Sequence, residues 1–412
     1  MTANHQSDVT FGQVLKNRQF LALWLANLVS SFGDWLAFLS LFSLIAFRWH
    51  GTPSQVSGIL IAFVTPLAVF GPVAGVFVDR WDLKRTMIAS DLIRAVLAAL
   101  LAFAPGVFHI YVLVFALSLV SSFFLPAQTV AIPRLVRKEE LLVANALNVQ
   151  TMNINKVISP AAAGLLVAWA GEKICFYIDS VSFIFSAAMI SLLALSREPA
   201  AVGSAQRAIG KELLEGLRFI VRHRAILFLI SSMVAAILAL GAFDALIVVY
   251  VRDVLASQSG LFGAIISLVG VSTILGSLLI GKFGQRQPRL RLVVLGILAL
   301  GLSVFILSAF GLVWVTLVCC LGFGLGAAGV LVPAQALMQE ETPPEILGRV
   351  SSTSMSLITV AQLISFLAAG TIAGWVGIRN LYYLVAVMLV VIASWGLVYT
   401  RAGRALAAKV AQ

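Results

Sequence analysis

From residue 19 onward, apolar stretches of about 20 residues or more recur between short polar breaks. At about 1.5 Å of rise per residue, each is long enough as a helix to cross a hydrocarbon core about 30 Å thick. The pattern predicts twelve such helices. Six cover approximately 19–47, 55–78, 86–104, 109–132, 141–170 and 173–195, and six more cover approximately 225–250, 259–281, 290–309, 312–337, 347–375 and 379–400. Between Ser196 and Arg224 the apolar pattern stops, which divides the chain into six spans plus six. Inside that break Ile209, Leu213, Leu217 and Ile220 recur at helical spacing while Lys211, Glu212, Glu215, Arg218 and Arg222 are polar, as in a helix lying on a membrane surface with lipid as its contact. The fold expected is an all-α membrane protein. It has twelve transmembrane helices in two six-helix pseudo-symmetric bundles, residues 1–195 and 225–412, joined by a cytoplasmic linker with an amphipathic helix over 196–224.

Composition agrees. The 412 residues are 61% hydrophobic and only 11% charged, against about 25% charged in a soluble domain. The Lys and Arg side chains gather on one set of loops and termini, leaving only Arg48, Lys173, Arg252 and Arg379 on the other set. Positive loops stay inside, so both termini are expected in the cytoplasm of an integral plasma (inner) membrane protein. The same placement explains the net charge of +11 through anionic lipid and topology, without a nucleic-acid partner. Residues 1–18 are polar, and no cleavable signal peptide is visible. Cys319 and Cys320 are adjacent and Cys175 stands alone, so they read as packing residues. The four histidines lack ligand spacing, and no metal site is expected. Gly276 to Lys282 fits the start of a phosphate-binding loop, but Phe283 stands where Ser or Thr is needed and the stretch is apolar helix, so no nucleotide or other cofactor is expected.

Against this apolar background the intramembrane charges carry the chemistry. Asp34 lies near the middle of the first span, and a carboxylate there needs a cavity or a partner. Pro126-Ala127-Gln128 closes the fourth span and Pro333-Ala334-Gln335 the tenth, and the same spacing carries Asp34 onto Gly241, three residues before Asp244. Asp244 is therefore expected on a similar face of the seventh span. Two parallel six-helix repeats place a substrate site near the bilayer midplane. Lys156, one turn before Pro160 in the fifth span, needs a carboxylate, a cavity or deprotonation; a pair with Asp34 or Asp244, or a polar lining from Gln150, Asn153 and Asn155, would serve. Asn27, Trp35, Asn148, Gln150 and Asn153 are the expected cavity-lining residues. Asp91 and Arg94, three apart, can pair on one helix face. Asp179 ranks below all of these.

After the second span comes Gly71-Pro-Val-Ala-Gly75-Val-Phe-Val-Asp79-Arg80-Trp-Asp82-Leu-Lys84-Arg85. Gly71 and Gly75 allow close helix approach, and the block reads as an inner gate latch. This loop resembles the signature of the major facilitator superfamily, a Gly, an Asp four residues on, then a basic cluster. The resemblance covers essentially the whole chain and implies that Asp79 and Arg80 stabilise the outward-facing state, with Lys84 and Arg85 completing the cluster. Asp82 stands where the family usually has Gly. A second-half copy, Gly281 to Arg286, lacks the acid. Gly33-Asp34-Trp35, Ser90 to Arg94 and Leu347-Gly348-Arg349-Val350 resemble the branch containing macrolide-efflux and enterobactin-export proteins. Ser159-Pro160-Ala161-Ala162-Ala163-Gly164 resembles the Gly-Pro motif of proton antiporters, with Ser where Gly is common; a tolerated helix kink is the other reading of Pro160.

The function expected is secondary transport, not enzymatic chemistry: proton-coupled export of an amphipathic small molecule by alternating access. The partners would be protons, the substrate and membrane lipids, with the protein acting as a monomer. The alternatives are a lysophospholipid flippase or siderophore exporter of the same fold, or an ion-independent facilitator.

Overall fold

The computed structural model describes residues 10–78, 80–195, 209–284 and 287–410, and the regular structure among them is helical. In chain order the helices are α1 (Phe11–Leu15), α2 (Arg18–Ser43), a π-helical turn (Leu44–Arg48), α3 (Pro53–Val78), α4 (Leu83–Leu101), α5 (Val107–Leu135) and a 3₁₀ turn (Lys138–Glu140). There follow α6 (Leu141–Ala170), α7 (Glu172–Ser191), α8 (Ile209–Arg222), α9 (Arg224–Asp253), α10 (Ser259–Phe283), α11 (Arg289–Ala309), α12 (Val313–Glu341), α13 (Pro344–Val376) and α14 (Ile378–Val410). Ten helices of the described residues are long and apolar enough to cross a membrane: α2, α3, α5, α7 and α9 to α14. The expected count of twelve is not reached on that criterion. The remaining two long helices are the polar ones, α4 with Lys84, Arg85, Asp91 and Arg94, and α6 with Asn145, Asn148, Gln150, Asn153, Asn155 and Lys156.

Helix boundaries follow local chemistry. Asn17 caps α2, its Oδ1 accepting from the Gln19 and Phe20 amides at 3.1 and 3.3 Å, and Asp82 caps α4 by accepting from the Arg85 amide at 2.9 Å. That capping role accounts for an acid where the resembling loops carry Gly. α6 ends at Gly171 (φ +79°) and α13 at Gly377 (φ +86°), each a single residue joining two long helices with a backbone that favours glycine. The same junction thus recurs at equivalent places in the two halves. The Pro-Ala-Gln tripeptides also recur, inside α5 and α12, each 29 residues long. They do not close those helices as expected: both run on, to Leu135 and to Glu341, because a long membrane helix tolerates an internal proline.

The chain forms two compact units, the described parts of residues 1–44 with 62–203, and of 45–61 with 204–412. In the first, α2 packs on α7 and α6, and α4 on α7 and α5. Phe20, Leu23, Val78, Met87, Phe124 and Ala127 fill one end of it. In the second, α11 lies against α12 and α14, α9 against α13, α14 and α12, and α10 against α12. Between helices in lipid there is little hydrophobic drive, so close van der Waals packing at small residues takes over. Gly296 of α11 shows it: a Cβ there would lie 2.7 Å from the Val330 amide nitrogen and 2.9 Å from the Gly326 carbonyl oxygen of α12. Cys175, Cys319 and Cys320 are free and buried.

Residues 45–61, assigned by the sequence to the first bundle, pack within the second unit. Arg252 at the end of α9 holds them, donating from Nη1 to the carbonyls of Ala46 (2.6 Å) and Gly51 (2.9 Å) while its Nε and Nη2 bind Asp253 at 2.5 and 2.8 Å. Ser54 donates to the Gly370 carbonyl of α13 at 2.6 Å. The amphipathic helix expected in the linker is α8. Its contact is not lipid alone: Gly216 meets Thr353 of α13, Ile220 is buried, and Glu215 pairs with Arg349 at 2.5 Å. The linker residues 196–208 lie outside the described residues.

Candidate functional site

α2 brings the first acid into place. Asp34 is exposed although Gly33, Leu36 and Ala37 around it are buried. Gly33 is the seat: a Cβ there would lie 2.7 Å from Asp179 Oδ1 and 3.0 Å from the Asp179 Cα, so only glycine lets α2 approach α7 at this level. Asp179 is 2% exposed, and Ser182 donates to its carbonyl at 2.7 Å. On α4 the buried Asp91 and Arg94 form an ion pair, as their spacing predicts. The Arg94 guanidinium lies between two rings, 4.3 Å from the Phe124 centroid and 4.4 Å from that of Phe183.

These groups act on one another. Asp34 and Asp179 are electrostatic neighbours, and Arg94 lies within the field of both. Asp179, Asp91 and Arg94 are buried in one helix bundle beside the exposed Asp34, with Asp91 Oδ2 and Arg94 Nε unbonded among the described residues. With more carboxyl groups than cations, such a group can take up a proton, a cation or a cationic part of a ligand. Sequence shows only the depth of Asp179 in a helix, which is why it ranks low there. The signal that raises it is Gly33 beside Asp34, a small residue that brings a second helix against the acid.

The fifth-span residues fall into two groups. Asn155 is buried and donates to the Leu28 carbonyl at 3.2 Å and to Ser31 Oγ at 2.5 Å, fastening α6 to α2. Lys156 and Gln150 are exposed, and Asn148 and Asn153 are half-buried. Lys156 makes no ion pair among the described residues, so the pairing with Asp34 offered by the sequence does not form. Pro160 is buried within an unbroken α6 and leaves the Lys156 carbonyl without its helical donor. Asn27 is half-buried, its carbonyl accepting from Ser31 at 2.6 Å. Trp35 packs edge-on against Phe38 at 6.2 Å, and Phe38 meets Phe63 of α3 at 5.1 Å, so this indole belongs to an aromatic row.

In the second unit Asp244 repeats the pattern of Asp34. It is exposed between buried Phe243 and Ala245, and Gly241, one turn earlier, seats α9 on α13, where a Cβ would lie 2.7 Å from Ser365 Oγ. The buried Tyr382 hydroxyl lies in the field of the Asp244 carboxylate. Of the expected gate residues, Gly75 lies on α3, and Asp79 lies outside the described residues, as do Gln285 and Arg286 of the second copy. Arg80 and Arg85 are exposed, whereas Lys84 is spent on the Leu193 carbonyl at 2.8 Å.

Comparison with known proteins places this geometry. The family model described as Major Facilitator Superfamily matches residues 23–365 and 261–411. The uncharacterized MFS-type transporter YfiS of Bacillus subtilis is 29% identical, over 92% of this chain and 93% of its own. Macrolide efflux protein A of Streptococcus pyogenes is 27% identical, over 81% and 84%. Among solved structures, the nucleoside transporter NupG aligns with a TM-score of 0.73 at 14% identity, covering 92% of this chain and 98% of its own. A bacterial homologue of the iron transporter ferroportin in its inward-facing state gives 0.71 at 17%, covering 92% and 98%. At these identities the structural likeness shows the fold.

Proposed function

The chain belongs to the Major Facilitator Superfamily, and on that premise we propose that it exports an amphipathic small molecule in exchange for protons. The full span count is twelve in this reading, α4 and α6 also crossing the bilayer, and both termini are cytoplasmic. One observation carries the proposal: Asp34 is exposed at mid-helix beside an interior charge cluster of Asp179, Asp91 and Arg94. Asp34 is the acid that a proton or substrate reaches, and the buried Asp179 behind Gly33 is the second carboxyl group with which it can share a proton. Asp244 is the matching acid of the second half. The name of macrolide efflux protein A supports efflux as the direction and a drug as the class of cargo. Alternation follows because protonated and deprotonated forms favour different conformations, and substrate binds the deprotonated one.

The test is reconstitution of the purified protein in vesicles with an imposed pH difference, scoring proton movement as candidate drugs, lipids and siderophores are added. Proton flux evoked by one class identifies both coupling and cargo. Asp34→Asn is expected to abolish gradient-driven transport while the protein remains monodisperse. Wild-type rates in that variant remove Asp34 from the mechanism, and transport indifferent to the gradient replaces the exchanger with a facilitator.

A further inference from the structure

A second feature of the first unit lies outside the acid cluster. A groove of about 620 Å³ runs between α4, α5 and the turn that joins α3 to α4. Its polar end carries Arg80 and Arg85, and its remaining length is lined by Ile93, Leu119, Val120 and Phe123, with Thr86, Ala89 and Ser90 along the α4 wall between. Both arginines are exposed, and among the described residues neither forms an ion pair. Asp82 also borders the groove, but its Oδ1 is engaged by the Arg85 amide, and Lys84 is turned away to Leu193. Two guanidinium groups against the one carboxylate of Asp82 leave the described residues of the polar end with a single net positive charge.

Geometry orders the two halves of the groove. Arg85 and Ile93 are eight residues apart on one helix, or about 12 Å along its axis. Trp81, 50% exposed, stands at the charged end and stacks on Phe123 at 5.7 Å with the rings 18° apart. A cationic rim, an amphipathic aromatic at the boundary and an apolar channel leading along the helix reproduce, in order, the sections of a membrane lipid: headgroup, interface and acyl chain. Basic pockets between membrane helices at the cytoplasmic side have this character.

We propose that this groove is a binding site for an anionic phospholipid, with the phosphate on Arg80 and Arg85 and one acyl chain along Ile93, Leu119, Val120 and Phe123. The site requires a membrane-embedded chain, which the family establishes, and is independent of proton coupling; only the choice of the cytoplasmic leaflet rests on the orientation proposed above. A soluble anion would satisfy the arginines and leave the apolar channel empty, so the acyl chain is part of the recognition.

The test is lipid retention by the purified full chain, read by native mass spectrometry with phosphatidylglycerol and phosphatidylcholine of identical acyl chains. The single net positive charge at that end predicts a preference of about fivefold for phosphatidylglycerol. The Arg80→Gln/Arg85→Gln double variant should remove that preference while phosphatidylcholine retention stays. Ala89→Trp, which fills the groove and keeps both charges, should reduce retention of both lipids. Wild-type protein with a diazirine-bearing phosphatidylglycerol should crosslink to peptides of α4 and α5, a readout that needs no variant. Equal retention of the two lipids by wild type, crosslinks confined to other helices, or displacement of the lipid by excess inorganic phosphate each overturns the proposal. The last outcome marks a simple anion site.

Discussion

Replacing Arg252 with alanine is expected to release residues 45–61 from the second unit while leaving the helices around them in place. Arg252 is only 16% exposed and spends one nitrogen on two backbone carbonyls, those of Ala46 and Gly51. A hydrogen bond to a charged donor contributes about 1.5–3 kcal/mol, and the buried Ala46 carbonyl is left without a partner when the guanidinium is gone. The ion pair with Asp253 adds little, since that acid is 46% exposed and keeps its water. The loss is therefore about 3 kcal/mol of local stability, roughly a 100-fold rise in the open population of this segment. Hydrogen exchange followed by mass spectrometry reads it directly, in peptides covering 45–53, with peptides of α11 and α12 as the internal reference. Arg252→Lys should fall between, because an ammonium lacks the planar fork that reaches two carbonyls and a carboxylate together. Unchanged exchange over 45–53, or acceleration spread evenly over the second unit, would refute the reasoning.

Other expectations follow from charges and their surroundings. Asp91→Asn or Arg94→Met alone strands a buried charge and should lower thermal stability by about 3–5 kcal/mol, whereas Asp91→Leu/Arg94→Met together should recover part of it; size-exclusion after a heat ramp measures both, and single variants as stable as wild type would sink the pair. Outside the spans, Glu140 is held below the usual carboxylate range chiefly by the side-chain hydrogen bond from Arg137. Its folded pKa lies under the unfolded value of about 4.3, so its contribution is present above that pH and is lost as pH falls through the lowered folded value. Exchange at the start of α6 should accelerate on acidification beyond the chemical rate, and Glu140→Gln should remove that extra dependence.

What the sequence made legible is what length and hydropathy decide. Except at the end of α14, which runs on to Val410, the expected spans fall within a few residues of the observed helices, because a polar break in an apolar chain has no other place to go than the membrane edge. The amphipathic helix in the linker was legible from its period, but not the α13 surface under Gly216 and Ile220, since an apolar stripe does not say what covers it. The pairing of Asp91 with Arg94 could be anticipated from their spacing. The approach of Asp179 to Gly33 could not, because it depends on which helices are neighbours. The same holds for residues 45–61, whose packing is set by Arg252, some 200 positions along the chain. The π-helical turn at Leu44–Arg48 left no mark in an unbroken apolar run.

The glycine seam between α11 and α12 has a mechanical meaning. At Gly296, Gly326 and Gly329 the two backbones touch with no side chain interposed, so there are no rotamers to switch and nothing to interdigitate differently. Whatever rearrangement carries cargo across, this pair can only travel as one stiff beam, and the bending has to be absorbed elsewhere in the scaffold.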